Sequence, residues 1–103
     1  MNRIQGFTAG VVVKEPELIM PDGGGKQFQS FAIKLDDREN QGKVYKGQRV
    51  TVKSYSQALD AVIGRIKMND KVIVAGDIQA RGYVNQDKNY AEIIIVAQTL
   101  EIA

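Results

Sequence analysis

The chain has 103 residues and a formal net charge of +2, and 44% of its residues are hydrophobic. That length suits one globular domain with a modest core, so we predict a single domain over residues 1–103. Because the sequence has no cysteine and no histidine, it excludes disulfides, thiolate chemistry and the most common general base of enzymes. We therefore predict a protein that is not an enzyme and that has no cofactor and no metal.

The first part of the chain predicts two strands joined by a turn. Residues 4–13 are rich in small and β-branched side chains, and their glycines suit the bends of a tightly curved barrel. Residues 14–18 are expected to be a connector, and a glycine-rich turn follows at residues 21–25. A second strand is predicted over residues 27–35, where apolar and polar side chains alternate.

The middle of the chain predicts a third strand and a helix. A solvated loop over residues 36–43 leads into the third strand, over residues 44–55. The only predicted helix covers residues 57–68, where apolar side chains recur at helical spacing. Ser56 is its expected N-cap, and Asn69 can end it in a left-handed conformation.

Two further strands follow the helix. The fourth is predicted over residues 71–83 and the fifth over residues 90–102, with a turn over residues 85–89 between them. The order of elements is strand, strand, strand, helix, strand, strand. It predicts an all-β fold, a five-stranded OB-fold barrel with one helix between strands 3 and 4.

The outward faces of the second, third and fourth strands carry the candidate binding residues. Side chains of a strand alternate between its two faces, so a barrel filled by the apolar set leaves cations and rings outside. Cations contact phosphates and rings stack on any base, as single-strand binding requires. A polar outer face is also ordinary for any barrel, so the pattern alone leaves both interpretations open. The outward residues are Lys34, Arg49, Thr51, Lys53, Tyr55, Arg81 and Tyr83.

Three segments resemble the bacterial single-stranded DNA-binding protein family, and the resemblance covers nearly the whole chain. Residues 14–18, Lys-Glu-Pro-Glu-Leu, are similar to the acidic segment in the family's first hairpin. Residues 50–58 resemble the family's third strand where it runs into the helix. Residues 74–83 are similar to its fourth strand, a Val-x-Gly-x-Leu-x-x-Arg-x-aromatic pattern. The resemblance implies an OB fold with single-stranded DNA, or RNA, as the partner.

The resemblance also implies roles for individual residues. Tyr55 and Tyr83 fall on base-stacking rings of the family, and Arg81 falls on the arginine two positions before the second ring. Arg49 stands where the family has a tryptophan, and Tyr45 can serve as the aromatic of the loop between the second and third strands. Because the chain has no tryptophan, we expect weaker binding per nucleotide and a larger share of the affinity from charge.

Family members self-associate and carry a C-terminal tail. The resemblance therefore implies a homodimer or homotetramer, and Ile73 and Phe28 are outward apolar residues that such contacts could bury. Cellular members have a flexible tail with an acidic tip that recruits replication and repair proteins. This sequence ends at Ala103, just after the fifth predicted strand, which puts recruitment through a tail in doubt. A phage- or plasmid-type member, a divergent paralogue and a core domain without its tail would each fit.

Two functions of different classes stay open. The first is a non-catalytic protein that coats and protects single-stranded DNA in replication, recombination or repair. The alternative is an OB-fold adaptor, similar to a primosome-like paralogue, that acts mainly through protein contacts. In either case we expect a cytoplasmic protein without a membrane partner. Residues 1–3 precede no apolar signal segment, and no hydrophobic run approaches membrane-spanning length.

Overall fold

The computed structural model describes residues 4–103, except for the side chain of Tyr83. Its helical part consists of a 3₁₀ turn, Gln57–Leu59, and a short α-helix, α1 (Asp60–Ile63). All other regular structure in these residues is β. The strands are β1 (Gln5–Ile19), β2 (Phe28–Lys34), β3 (Arg38–Asn40), β4 (Lys43–Tyr45), β5 (Arg49–Ser54), β6 (Lys71–Asn85) and β7 (Lys88–Ile102).

Five of the strands close into a barrel in the order β1-β2-β5-β7-β6. Neighbouring strands are antiparallel, except that β5 and β7 run parallel where they close the barrel. The helical part lies between β5 and β6, which are the third and fourth barrel strands in chain order. The predicted fold class, an all-β five-stranded OB-fold barrel with its helix between strands 3 and 4, is confirmed.

Alternation of side chains fills the barrel as the sequence predicts. In β2, Phe31 and Ile33 point inward and are at most 1% exposed. Ile63 and Ile66, from the helical part and the turn after it, belong to the same core. Burial of these apolar side chains is the main source of the fold's stability. The other fully buried members are Val12, Val50, Val52, Val72 and Val74.

Strand β1 is longer than predicted. Residues 14–18, expected to be a connector, continue β1 and pair with β2 up to the contact of Ile19 with Phe28. The pairing slips twice, between Val12 and Lys14 and again between Lys14 and Glu17. Proline lacks an N–H and is tolerated in a strand where the ladder is interrupted, and Pro16 lies within the second slip. The two bulges let the strand bend around the barrel.

The predicted third strand and the loop before it are divided differently in the structure. Residues 44–55 are split into β4 and β5, and β4 pairs with β3 as a small separate hairpin that replaces the predicted solvated loop. Gly47 lies at the break, so close to the chain that a Cβ there would overlap the Leu35 carbonyl oxygen. A bond from Leu35 N–H to the Gln48 carbonyl, 2.9 Å long, joins the same two segments.

The predicted helix over residues 57–68 is also wrong in length. The Ser56 hydroxyl does cap it, accepting from Ala58 N–H at 3.2 Å. However, α1 ends at Gly64, a residue with low helix propensity, and tight turns follow. Asn69 has a φ of 71°, the left-handed conformation that the sequence predicts for the end of this region. The apolar spacing therefore predicts the buried face of this region correctly, but it overestimates the length of the helix.

Strands β6 and β7 form a hairpin that extends past the barrel. Its turn consists of two residues, Gln86 and Asp87, and both have positive φ angles. The turn is therefore shorter than the one predicted over residues 85–89. Strand β5 pairs with β7 only over Ile93–Val96. The segment between Arg81 and Glu92 is therefore a two-stranded ribbon next to the barrel wall.

No helix in the part of the chain that the structure describes is long and apolar enough to cross a membrane.

Candidate nucleic-acid interface

An open groove of about 680 Å³ crosses the outer wall of the barrel. Its floor comes from β2 and β5, and residues of β1, β6 and β7 form its sides. The groove brings together half of the predicted site residues, three from β5 and one from β6. These are Arg49, Thr51, Lys53 and Arg81.

Two aromatic rings lie side by side where the groove adjoins a smaller pocket, and Tyr55, a predicted site residue, lines that pocket and not the groove. The ring centroids of Phe28 and Tyr55 are 5.2 Å apart, with a 44° angle between the ring planes. Phe28 lines the groove and also a smaller adjoining pocket of about 260 Å³, which Tyr55 lines as well. Tyr55 is 39% exposed. The pair therefore presents ring surface to solvent where two cavities meet.

Each ring has a lysine beside it. The Lys53 ammonium lies 4.9 Å from the centroid of Phe28, and the Lys26 ammonium lies 5.7 Å from the centroid of Tyr55. Both distances are within the range of cation–π interactions, and these interactions hold the ammonium groups close to the rings. A base stacked on either ring would place its phosphate within reach of a cation.

Phe28 lines the groove although the sequence predicts it for contacts between subunits. Its outward position in β2 agrees with the alternation of that strand. The structure places its ring against Tyr55 and among the residues that line the groove, while its role in contacts between subunits stays a prediction. Its position depends on the register of the strands, in which Phe28 pairs with Ile19 at the end of β1, and no local sequence pattern gives that register. Lys26 was also missed, since it lies in the turn before β2.

Tyr45 and Lys34 do not line the groove. Tyr45 lies on the β3–β4 hairpin, where the Arg38 guanidinium is 5.3 Å and the Lys43 ammonium 5.8 Å from its ring centroid. Lys34 ends β2 and forms an ion pair with Asp37 at 3.4 Å. The hairpin thus forms a second cluster of a ring with cations, separate from the Phe28–Tyr55 pair.

Asp37 joins this hairpin to the barrel. Its carboxylate accepts from Gly47 N–H at 2.7 Å and also contacts the ammonium groups of Lys34 and Lys46. The Gly47 hydrogen bond, helped by the two lysines, holds the pKa of Asp37 below its ordinary value. Because the pKa of Asp37 is lower in the folded state, its ionised carboxylate stabilises the fold when the pH is above the pKa of the unfolded state. This stabilisation is lost as the pH falls through the pKa of the folded state. The anchor is therefore intact at neutral pH.

Arg81 and Thr51 share one acidic partner in the groove. Arg81 Nη2 donates to Glu92 Oε2 at 3.1 Å, and the Thr51 hydroxyl donates to Glu92 Oε1 at 3.0 Å. Glu92 is directly across the β6–β7 ladder from Arg81. On the opposite side of the groove, Lys14 is paired with Glu17 at 2.9 Å. Two of the basic residues that line the groove are therefore held by carboxylates of the same chain.

The stacking of Tyr83 and the absence of a metal both stay predictions. The backbone of Tyr83 pairs with Tyr90 in the β6–β7 ribbon, and its side chain lies outside the described residues. Its predicted stacking role stays a prediction. Among residues 4–103, without the Tyr83 side chain, no group of three or more acidic side chains is placed to hold a metal ion.

Solved structures of other proteins are similar to this barrel over nearly their whole length. No protein-family model matches the chain, and no curated protein matches it at a significant level. A small single-stranded DNA-binding protein from Streptomyces coelicolor matches with a TM-score of 0.74 and 20% identity, covering 100% of this chain and 96% of that one. The mitochondrial single-stranded DNA-binding protein Rim1 of S. cerevisiae matches with a TM-score of 0.72 and 11% identity, covering 99% and 96%.

A third similar structure is that of a single-stranded DNA-binding protein in complex with DNA. This Plasmodium falciparum protein matches with a TM-score of 0.64 and 20% identity, over 100% of this chain and 97% of that one. In each comparison nearly the whole of both chains is matched. The chain therefore has the OB fold of the single-stranded DNA-binding proteins, and the resemblance seen in its sequence is confirmed at the level of the fold.

Proposed function

We propose that this chain is a non-catalytic single-stranded DNA-binding protein that coats and protects exposed strands in replication, recombination or repair. The observation that carries the proposal is the Phe28–Tyr55 ring pair with Lys53 and Lys26 beside it, where a basic groove on an OB barrel adjoins a smaller pocket. The fold it shares with structures of single-stranded DNA-binding proteins supports it.

The chemistry of the groove explains binding without sequence preference. Every base has a flat face, so Phe28 and Tyr55 can stack on any of them. Arg49 and Lys53 supply positive charge to phosphates, which are the same at every nucleotide. A duplex keeps its bases stacked inside, so its bases cannot reach the rings. The groove therefore favours single strands over duplexes. Tyr45 on the β3–β4 hairpin and Tyr83 on the ribbon can extend the path of the strand.

A salt titration tests the function and the role of charge together. Quenching of the intrinsic tyrosine fluorescence by oligo-dT, measured at two salt concentrations, should give a negative slope of log K against log salt of about 0.7 per phosphate contacted. Lys53→Gln should weaken binding of all sequences and reduce this slope. Lys71→Gln, the same change at the start of β6 and outside the groove, is the matched control.

Two outcomes would contradict the proposal. If duplex DNA binds as tightly as oligo-dT, the rings do not contribute. If the protein binds neither, the OB-fold adaptor that acts through protein contacts becomes the better interpretation.

The outer face of β1 and β6 supports self-association as a homodimer or homotetramer. Phe7 is 79% exposed and lies diagonally across the β1–β6 ladder from Ile73, which is also exposed. Neighbouring exposed apolar side chains of this kind mark contact surfaces. Sedimentation at micromolar concentration should show a dimer or tetramer, and Phe7→Glu should shift it to the monomer while circular dichroism stays unchanged. A wild-type monomer would contradict this assembly without affecting the proposed DNA binding.

A further inference from the structure

We propose that Glu92 competes with the phosphates of the bound strand for Arg81, and so sets the affinity of the groove. This inference rests on the proposed function and adds a specificity-determining residue to it. It starts from the three-strand network in which Thr51 of β5, Glu92 of β7 and Arg81 of β6 are joined by hydrogen bonds.

Glu92 is held more firmly than an ordinary surface acid. Its side chain is only 29% exposed, and both carboxylate oxygens have a protein donor. Thr51 has one hydroxyl hydrogen, and in this geometry it is directed to Glu92 rather than toward a ligand. Thr51, predicted as a DNA contact, is therefore a positioning residue for Glu92.

A carboxylate on a guanidinium imitates a phosphate. Arg recognises both groups through the same planar set of N–H donors, so one can replace the other at Arg81. Arg81 lines the groove in which the strand is proposed to lie. A phosphate that approaches Arg81 must therefore displace Glu92, and when the phosphate leaves, Glu92 returns. Arg81 gains little from DNA while Glu92 is charged, unlike Lys53, for which the structure shows a ring and no carboxylate as its partner.

Glu17 does not have the same effect on the other side of the groove. Its ion pair with Lys14 is between neighbours in one strand, and the Glu17 side chain is 49% exposed. Exposed ion pairs contribute little and are readily screened by salt. The Arg81–Glu92 pair differs because Thr51 also donates to Glu92 and the Glu92 side chain is only 29% exposed. Glu92 is thus the acid whose removal should change binding most.

The decisive variant is Glu92→Gln. It keeps the size of the side chain and an oxygen that can accept from Thr51 and Arg81, but it removes the charge that opposes the phosphate. Oligo-dT should bind about three- to tenfold more tightly. The slope of log K against log salt should become steeper by about 0.7, as expected for one further phosphate contact. Glu101→Gln is the matched control, because it removes the same charge from the same strand outside the groove.

A double-mutant cycle with Arg81→Gln separates competition at Arg81 from general repulsion. If Glu92 acts through Arg81, then Arg81→Gln costs little in the wild type and several-fold more when Glu92 is already Gln. Additive effects would overturn the inference, because simple repulsion of DNA by Glu92 does not require Arg81. Unchanged melting temperatures for Glu92→Gln show that the effect is on binding and not on folding.

The outcomes distinguish this inference from the proposed function. If the wild type binds oligo-dT and Glu92→Gln binds no more tightly than Glu101→Gln, only the competition by Glu92 is wrong. If neither the wild type nor Glu92→Gln binds, the proposed function fails and the inference with it. If only Glu92→Gln binds measurably, the competition by Glu92 is supported, but the proposed function of the wild type is contradicted.

Discussion

Phe28→Ala is expected to weaken the binding of oligo-dT by about 5- to 150-fold, because stacking of a base on an aromatic ring contributes about 1–3 kcal/mol. The ring lines both the groove and the pocket beside it, so its removal takes stacking surface from the point where the two cavities meet. It also removes the ring on which the Lys53 ammonium rests. Affinity is measured by tyrosine fluorescence titration, which this substitution leaves possible.

Tyr55→Phe is the control for ring chemistry in the same pair. It keeps the ring face and loses only the hydroxyl, so binding should stay within about twofold of the wild type if stacking carries the affinity. If Tyr55→Phe weakens binding as much as Phe28→Ala does, the hydroxyl rather than the ring surface is important. If Phe28→Ala binds normally, the ring pair is not the stacking site.

Phe31→Ala should lower the free energy of unfolding by about 3–5 kcal/mol, a large share of the stability of a domain of this size. Phe31 is 1% exposed and belongs to the core cluster that fills the barrel. Loss of the ring leaves a cavity that the rigid barrel cannot close, so both the transfer free energy and the packing contacts are lost. Urea unfolding followed by circular dichroism measures the change.

Phe28→Ala is the matched control for this stability prediction. The two phenylalanines lie in the same strand, but Phe31 is buried in the core, whereas Phe28 is half-buried with its ring against Tyr55. Phe28→Ala should change the free energy of unfolding by less than about 1 kcal/mol. Equal destabilisation by the two variants would mean that the Phe28 ring is a structural element, and its loss of DNA affinity would then need another explanation.

The fold could be predicted because its signals are local and repeated. Period-two alternation marks the inward residues of each strand, and the same rule put Arg49, Lys53 and Arg81 on the outside. The ends of the strands are harder to predict from the sequence. The continuation of β1 through Pro16 depends on bulges, and the break before β5 depends on the close approach of Gly47 to Leu35. Contacts between distant segments decide both features, and no local pattern encodes them.

The candidate site, like the fold, could be predicted only in part from the sequence. Sequence parity identifies which residues face outward, but it does not say which outward residues meet. Arg49, Lys53 and Arg81 share a groove, whereas Tyr45 lies on a separate hairpin. The pairing of Phe28 with Tyr55 and of Arg81 with Glu92 follows from strand order and register. Glu92 was not singled out because an acid in a strand usually indicates only a solvated face.

A ribosome that makes this chain releases β1, β2 and β5 well before the strand that closes the barrel. Strand β5 has its second neighbour only when residues 93–96 of β7 are available, because the parallel pairing joins segments far apart in the sequence. Contacts of this kind form slowly. Until β7 emerges, one edge of β5 has unpaired backbone groups beside Val50 and Val52, which later become buried. The nascent chain therefore passes through an interval in which it can pair with other unfinished chains or be held by a chaperone.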